Sequence, residues 1–422
     1  MLYKQTVLLT GVTFLGLTGY TLRLEQLYFM AALLAFLALG SYVVCALSVR
    51  GIDVRRGPAR KIYEDQQSEL RMTLTNTSRL PKLFLAIEDV LPRWLEPVGG
   101  AAPDPGRNPT HRPPAEVRFV VPMLLPGRSV ELRYRVRGEK RGAFLLGPIA
   151  VSATDALGAF VVSRPVQAPQ EIIVYPSPAR VSPEAVAGVR SFGEADTEQL
   201  SAAGAGLEFY GIRDYRPGDA LRRIHWPSTA RLGDFAVVEF EESFGADMVI
   251  ALDLRAGTEY GTGKDTTLEA AIRAAASLAA HAVDNGASAT VIGHDARARH
   301  LASAPRPEEL PTVLEVLARM QADGDTPLAA AIARVSDLVT GAAGILLTSA
   351  LDETVAAAAE SWLRRRAQVV VILFDAASWG ADGAGDVYAF GNRLRAAGAR
   401  VEVIRRGDDL QYMLGRAASD AV

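Results

Sequence analysis

MVIALDLRAG, residues Met248–Gly257, opens with five uncharged apolar residues and then turns to an acid and a base. A short, wholly apolar run of this kind reads as a strand buried on both faces. Similar runs recur downstream in ATVIGHD (289–295), GILLTSAL (344–351), QVVVILFDA (368–376) and RVEVIRR (400–406). Helical patterns separate them. TTLEAAIRAAASLAAHAVDNG (266–286) ends on the stop signal Asn285-Gly286, and PEELPTVLEVLARM (307–320) puts Leu310, Val313, Leu314 and Leu317 on one face. PLAAAIARVSDLV (327–339), TVAAAAESWLRRRA (354–367), DVYAFGNRLRAAG (386–398) and a last segment from Asp408 complete the set. Strands alternating with helices predict a parallel sheet with helices on both faces. Ligands bind such sheets beyond the carboxyl ends of the strands, so Asp253, His294, Ser349 and Asp375 are expected at the rim.

Just upstream, LEFYGIRDYRPGDALRRIHWPSTAR (207–231) sets arginines and acids among aromatic residues. Pro217 and Gly218 suit a type II turn. Asp219 then suits the N-cap of a short helix, ALRRIHW, and FAVVEFEE (235–242) reads as a strand. Three chemistries are open to the segment. His225 has Glu208, Asp214 and Asp219 nearby for acid–base work. Arg213, Arg222, Arg223 and Arg231 suit an anion. Ser228 with His225 and an acid would make a nucleophilic triad, yet Ser228 sits in Pro-Ser-Thr without a Gly-x-Ser-x-Gly elbow. Arginines and carboxylates in near-equal number satisfy one another. The reading adopted is therefore a structural clasp of Glu208, Arg213, Tyr215, Gly218, Asp219, Arg223, His225, Trp226 and Arg231, with no catalytic residue assigned.

From residue 51 to 178 the chain is β-rich. ELRMTLTN, LFLAIEDV, VRFVVPML, VELRYRVR and EIIVYP are bounded by Pro, Gly or Asn, which predicts a β-sandwich. A Pro/Gly/Ala-rich insert at 96–116 reads as a loop. The first 50 residues carry two uncharged stretches, QTVLLTGVTFLGLTGYTL and LYFMAALLAFLALGSYVVCALSV, split by Arg23-Leu24-Glu25-Gln26. Their lengths predict a transmembrane helical hairpin with two spans. Arg50, Arg55, Arg56, Arg60 and Lys61 follow the second stretch, so the positive-inside rule places the soluble part in the cytoplasm. A net charge of −3 with no basic tail speaks against nucleic acid as a partner, and the single cysteine, Cys45, excludes an intrachain disulfide.

Glu208, Arg213, Tyr215, Pro217-Gly218-Asp219, Arg223, Ile224, Trp226, Ala230 and Arg231 resemble the signature of the bacterial family called domain of unknown function 58 (DUF58). KRGAFLLGPIAVSATDALGAF (140–160), VYP (174–176) and the hairpin add to the likeness. The expected protein is multidomain in four stretches: hairpin at 1–50, β-sandwich at 51–178, signature segment at 179–245, and an α/β, Rossmann-type domain at 246–422, which the resemblance implies is similar to von Willebrand factor A. It also implies the company of MoxR-type AAA+ ATPases and transglutaminase-like proteins, and no established activity.

Von Willebrand A domains often hold Mg²⁺ through Asp-x-Ser-x-Ser, a Thr and a later Asp, oxygen ligands suited to a hard cation. This chain offers Asp253, Arg255 and Gly257, then Thr326, then Ala350, with Asp352 two residues on. Two hydroxyls and a carboxylate are missing, so the site is expected to be degenerate, with no metal and Arg255 bridged to Asp253. The expected function is a non-enzymatic, membrane-anchored scaffold that docks a protein partner. A hydrolase or protein-modifying enzyme centred on His225 and Asp219 is the alternative.

Overall fold

The structure, a computed structural model, describes residues 2–58, 61–99, 115–155, 158–179, 208–214, 229, 231, 235–241, 247–333, 342–365 and 368–416. The chain divides into two units, Met1–Tyr175 and Pro176–Val422.

The first unit begins with helices α1 (Leu2–Leu22) and α2 (Glu25–Ser48), which pack side by side across a tight turn at Arg23. Both form where expected, but among the described residues only α2 is long and apolar enough to cross a membrane. Composition explains the difference from the two-span expectation. Threonines and glycines punctuate α1, and the hydroxyls of Thr10, Thr13 and Thr21 bond back to the carbonyls of Thr6, Leu9 and Leu17.

Among the described residues eleven strands follow: β1 (Ile52–Arg56), β2 (Ile62–Tyr63), β3 (Gln67–Asn76), β4 (Lys82–Val90), β5 (Leu95–Pro97), β6 (Glu116–Leu124), β7 (Ser129–Gly138), β8 (Gly142–Leu146), β9 (Ile149–Thr154), β10 (Val161–Val166) and β11 (Gln170–Tyr175). They form two four-stranded antiparallel sheets, β1-β3-β7-β5 and β10-β9-β4-β6, and a smaller sheet β2-β11-β8. Alternation along the strands sends Leu70, Met72, Leu74 and Val136 of one sheet and Leu85, Ile87, Val151 and Ala153 of the other into a common core. Cys45 and Val49, at the end of α2, belong to that core too. The four longest strands, β3, β4, β6 and β7, together with β11, are legible as alternating runs. The insert expected at 96–116 begins inside β5 and ends at the first residue of β6, and its residues 100–114 lie outside the described set.

An ion pair is sealed between these sheets. Arg56 on β1 forks onto Asp89 on β4, Nη1 and Nη2 lying 2.6 and 2.7 Å from the two carboxylate oxygens. The Tyr134 hydroxyl on β7 donates to the same carboxylate at 2.5 Å, and Arg56 Nε and Nη2 also reach the carbonyls of Ala168 and Gly147. The Arg56 and Asp89 side chains are 5% and 0% exposed. Burial and the neighbouring carboxylate push the Tyr134 pKa far up, so its proton stays on the hydroxyl. Arg56, one of the cations that follow the second apolar stretch, is thus held inside the sandwich. Arg55 pairs with Asp53.

In the second unit β12 (Glu208–Asp214) and β13 (Ala236–Glu241) pair as an antiparallel ladder with a bulge between Phe209 and Gly211. Then come β14 (Met248–Leu252), the short hairpin β15 (Gly261–Thr262) and β16 (Asp265–Thr266), β17 (Ala289–His294), β18 (Arg299–Ala304), β19 (Ala343–Thr348), β20 (Gln368–Phe374) and β21 (Arg400–Ile404). The main sheet has the order β18-β17-β14-β19-β20-β21. Helices Thr267–Asp284, Leu310–Arg319, Leu328–Ala333, Glu353–Leu363, Val387–Ala396 and Leu410–Arg416 lie between or after its strands. Every residue of β14 and β19 is buried, as their unbroken apolar runs require. Helix Glu353–Leu363 lies so close that a side chain at Gly344 would strike the Trp362 ring.

The sheet is mixed rather than wholly parallel, because β18 runs antiparallel to β17. The buried Asp295 carboxylate makes that reversal: it accepts from Arg297 N and Ala298 N at 2.9 Å and meets His300 Nε2 at 2.6 Å. RHLASA has too little apolar character to announce a strand.

Candidate functional site

The strand order reverses between β14 and β19. From β14 the chain builds outward to β17 and β18, then returns to build β19, β20 and β21 on the other side. Such a switch point leaves a crevice beyond the carboxyl ends of the two central strands. Asp253 follows β14 directly, and Thr348 ends β19 with Ser349 after it.

Asp253 has a side chain with no solvent exposure, and all its acceptor capacity is engaged. Arg255 approaches it edge-on, Nε 2.9 Å from one oxygen and Nη2 2.7 Å from the other. Thr348 Oγ1 adds a bond at 2.9 Å, and that same oxygen accepts from Ala350 N. Arg255 Nη1 turns the other way, 2.7 Å from Asp352. Of the five guanidinium donors, these three bonds leave two uncommitted. The bond to Asp253 first, then that to Asp352, raises the Arg255 pKa against the opposing effect of burial, so the charge is permanent.

The backbone fixes this arrangement. Ala256 N donates to Gly324 O and Gly324 N to Leu254 O, which lashes the Arg255 loop to the segment after helix Leu310–Arg319. Gly324 is squeezed between the carbonyls of His294 and Leu254 and has no room for a Cβ. Gly257, at φ +85°, turns the loop away from the sheet. Asp352 also caps helix Glu353–Leu363 by accepting from Thr354 N and Val355 N. Burial works to raise its pKa, but bonds from Thr354 and Arg255 outweigh this and hold the carboxyl below the usual range.

A cavity of about 440 Å³ opens beside these groups, lined by Arg255, Tyr260, Ser349, Ala350, Asp352, Asp375 and the glycines at 383 and 385. Asp375 faces Arg405 at 3.7 Å, and Ser349 Oγ donates to Thr258 O. A larger hollow, about 600 Å³, runs beside edge strand β21 among Arg395, Arg400, Arg405 and Met413. It lies away from the switch point, where the sheet gives no reason to expect chemistry.

Of the positions expected at a degenerate metal site, Asp253, Arg255, Gly257 and Ala350 gather at this crevice. The Thr326 hydroxyl bonds to Asp325. Of the rim residues, His294 stands apart from the cavity lining, with Nδ1 buried and without a hydrogen-bond partner. From the sequence Asp352 stands only as an acid two residues beyond the expected ligand position at Ala350. Its place before Glu353-Thr354, at a helix start, is the signal that fixes its position.

Of the expected clasp, Glu208 and Arg213 sit on β12, and Arg231 is exposed in a helical turn. Tyr215, Gly218, Asp219, Arg223, His225 and Trp226 lie outside the described residues.

Comparisons with known proteins agree with the second unit's signature. The family described as "Protein of unknown function DUF58" matches residues 211–404. "Uncharacterized protein YeaD" of Bacillus subtilis (strain 168) is 23% identical over 195 residues, which cover 46% of this chain and 45% of that protein. The chain thus matches somewhat less than half the length of this relative. Among solved structures, the bacterial hydrophobin BslA is 13% identical, with 31% of this chain and 97% of that one covered, at a TM-score of 0.19. The PapD-like domain of human CEP192 is 9% identical, with 31% and 89% covered, at 0.18. Scores this low assign no fold, and the sheet order is the firmer guide. Across residues 211–404, which take in β14, Asp253, Arg255 and Asp352, the chain is similar to the DUF58 family.

Proposed function

We propose that the chain is a membrane-anchored docking protein without catalytic turnover. Its α/β unit, similar to a von Willebrand factor A domain, offers the switch-point crevice to a protein partner. The observation that carries this reading is the Arg255 fork on Asp253. A guanidinium lies within 2.9 Å of both carboxylate oxygens, where an adhesion-type cation would sit. A divalent cation needs several oxygen ligands and tolerates no fixed positive charge among them. Asp253, Arg255, Gly257, Thr326 and Ala350 therefore do not fit one. What the crevice offers instead is a fixed cation with spare donors beside two partly exposed carboxylates, a surface for hydrogen bonds and ion pairs.

In this reading α2 crosses the inner membrane with α1 packed along it, and both soluble units face the cytoplasm. The cluster at 207–231 is a clasp rather than a catalytic centre. The partner is a MoxR-type AAA+ ATPase, with a transglutaminase-like protein as further company. Co-purification of the full chain from detergent extracts under nucleotide-trapping conditions tests this, beside an Ala350→Phe variant that fills the cavity. An ATPase should appear with the parent and be lost with the variant. Its absence from both would end the proposal.

A further inference from the structure

The face of the first unit around the end of α2 combines exposed apolar side chains with exposed cations. Three segments meet there. Thr77 N donates to Gly51 O at 2.9 Å, joining the chain after α2 to the β3–β4 connection. Asn76 gathers the other two: its N–H donates to Arg128 O, its carbonyl accepts from Gly127 N, and its amide donates to Leu80 O and Leu124 O at 2.9 and 3.0 Å. Lys82, buried at the start of β4, donates to Leu47 O at 2.6 Å, so β4 is tied to the last turn of α2.

Around that tie Leu80, Leu83, Phe84, Met123 and Leu125 are 36–57% exposed. Leu83 stands opposite Met123, one residue from the Lys82–Leu124 pair. Phe84 has φ +50°, an outlier for a bulky residue. It breaks the strand's alternation, so that Leu83 and Phe84 both face outward. Arg50, Arg79 and Arg128 are exposed on the same three segments. No ion pair with a described carboxylate neutralises them.

We propose that this collar is seated in the membrane interface: the five apolar side chains enter the headgroup–acyl boundary, and the three arginines bind the phosphates of anionic phospholipids. The inference rests on α2 crossing the bilayer. A spanning helix leaves the hydrocarbon near its last apolar turn, and the Lys82–Leu47 bond fixes Leu83 and Met123 at that depth. Apolar patches rimmed by cations are what a lipid surface selects. Each juxtamembrane arginine adds attraction to anionic lipid that fades within a Debye length. The bilayer thereby holds the sandwich in one orientation.

Single cysteines placed at Phe84, Met123, Val90 and Phe36 and labelled with bimane test this on the full chain in phosphatidylethanolamine–phosphatidylglycerol nanodiscs. Cys45 is buried, so protein without an added cysteine serves as the blank. Val90 lies at the opposite end of β4, about 26 Å from Lys82 at strand rise, and is the water-facing reference. Labels at 84 and 123 should be quenched at least threefold more by shallow nitroxide lipids than the label at 90, and iodide should show the reverse. Equal iodide quenching at 84, 123 and 90, with the label at 36 still quenched by deep nitroxides, would overturn the collar and leave the anchor standing. No deep quenching at 36 would remove the anchor and the collar with it. Replacing Arg79 and Arg128 by Glu should bring the collar signal down to that seen in phosphatidylcholine discs; an unchanged signal would overturn the phosphate contacts.

Discussion

Each unit contains an arginine forked onto an aspartate, and the two forks differ in what surrounds them. In the sandwich, Arg56 and Asp89 are closed off from solvent. The guanidinium spends its remaining reach on backbone carbonyls, and a tyrosine hydroxyl shares the carboxylate. At the switch point Asp253 is equally buried, but Arg255 is 16% exposed and gives its third bond to Asp352, whose side chain is 43% exposed. The same chemistry thus serves two ends. A sealed pair has to be fully satisfied, because desolvation of two charges cancels most of their attraction. A pair at the rim of an α/β sheet keeps donors and charge in reach of a ligand. The first fork orders a core, and the second dresses a surface.

Removing the acid from each fork gives the sharpest contrast. Asp89→Ala strands Arg56 and the Tyr134 hydroxyl in the sandwich core and should cost about 3–5 kcal/mol, read as an early transition in urea or thermal unfolding. Asp253→Ala should cost less, about 2 kcal/mol, the scale of bonds to a charged group, because Arg255 keeps Asp352 and can relax into the cavity. Equal losses would erase the distinction between sealed and open forks.

The part of this contrast legible in the sequence lay where side-chain pattern fixes geometry. The apolar runs at 248–252, 343–348 and 368–374 gave the central strands, and the fold then put Asp253 and Ser349 at the rim. Arg255 on Asp253 was legible only through the resemblance to von Willebrand A domains, whose cation position the guanidinium takes here. The Arg56–Asp89 fork was hidden because its partners lie 33 positions apart on different sheets, and Arg56 stood among the cations that set the expected orientation of the anchor. The strand at 299–304 escaped notice because its pairing is made by the Asp295 turn rather than by apolar residues. The weakness of α1 as a membrane span lay in plain view, in its threonines and glycines.

Rebuilding the lost ligands tests whether Arg255 replaces a cation. In Arg255→Ser with Ala350→Asp, a hydroxyl and a carboxylate return to the crevice, and the Asp253 carboxylate is freed of its guanidinium. Mg²⁺ should then raise the melting temperature, by the equivalent of about 1.4 kcal/mol at ten times its dissociation constant. The parent should not respond. A parent stabilised by Mg²⁺ would show that the guanidinium yields to metal, and the two forks would no longer be alike.

The smallest effect separates the forks by pH. Asp352 has a folded-state pKa below its unfolded value of about 3.9. Its stabilising contribution is present above the unfolded pKa and is lost as pH falls through the folded one. Because the side chain is partly exposed, screening keeps this contribution under about 1 kcal/mol. Asp352→Asn should therefore flatten the acid limb of α/β-unit unfolding below pH 4, with little change at pH 7, where the amide still caps helix Glu353–Leu363. The Asp89 fork should not respond to this substitution, so a fluorescent probe in the sandwich should titrate as in the parent. If the acid limb keeps its slope, Arg255 holds Asp352 too weakly to matter, and the crevice presents a carboxylate free to meet a partner.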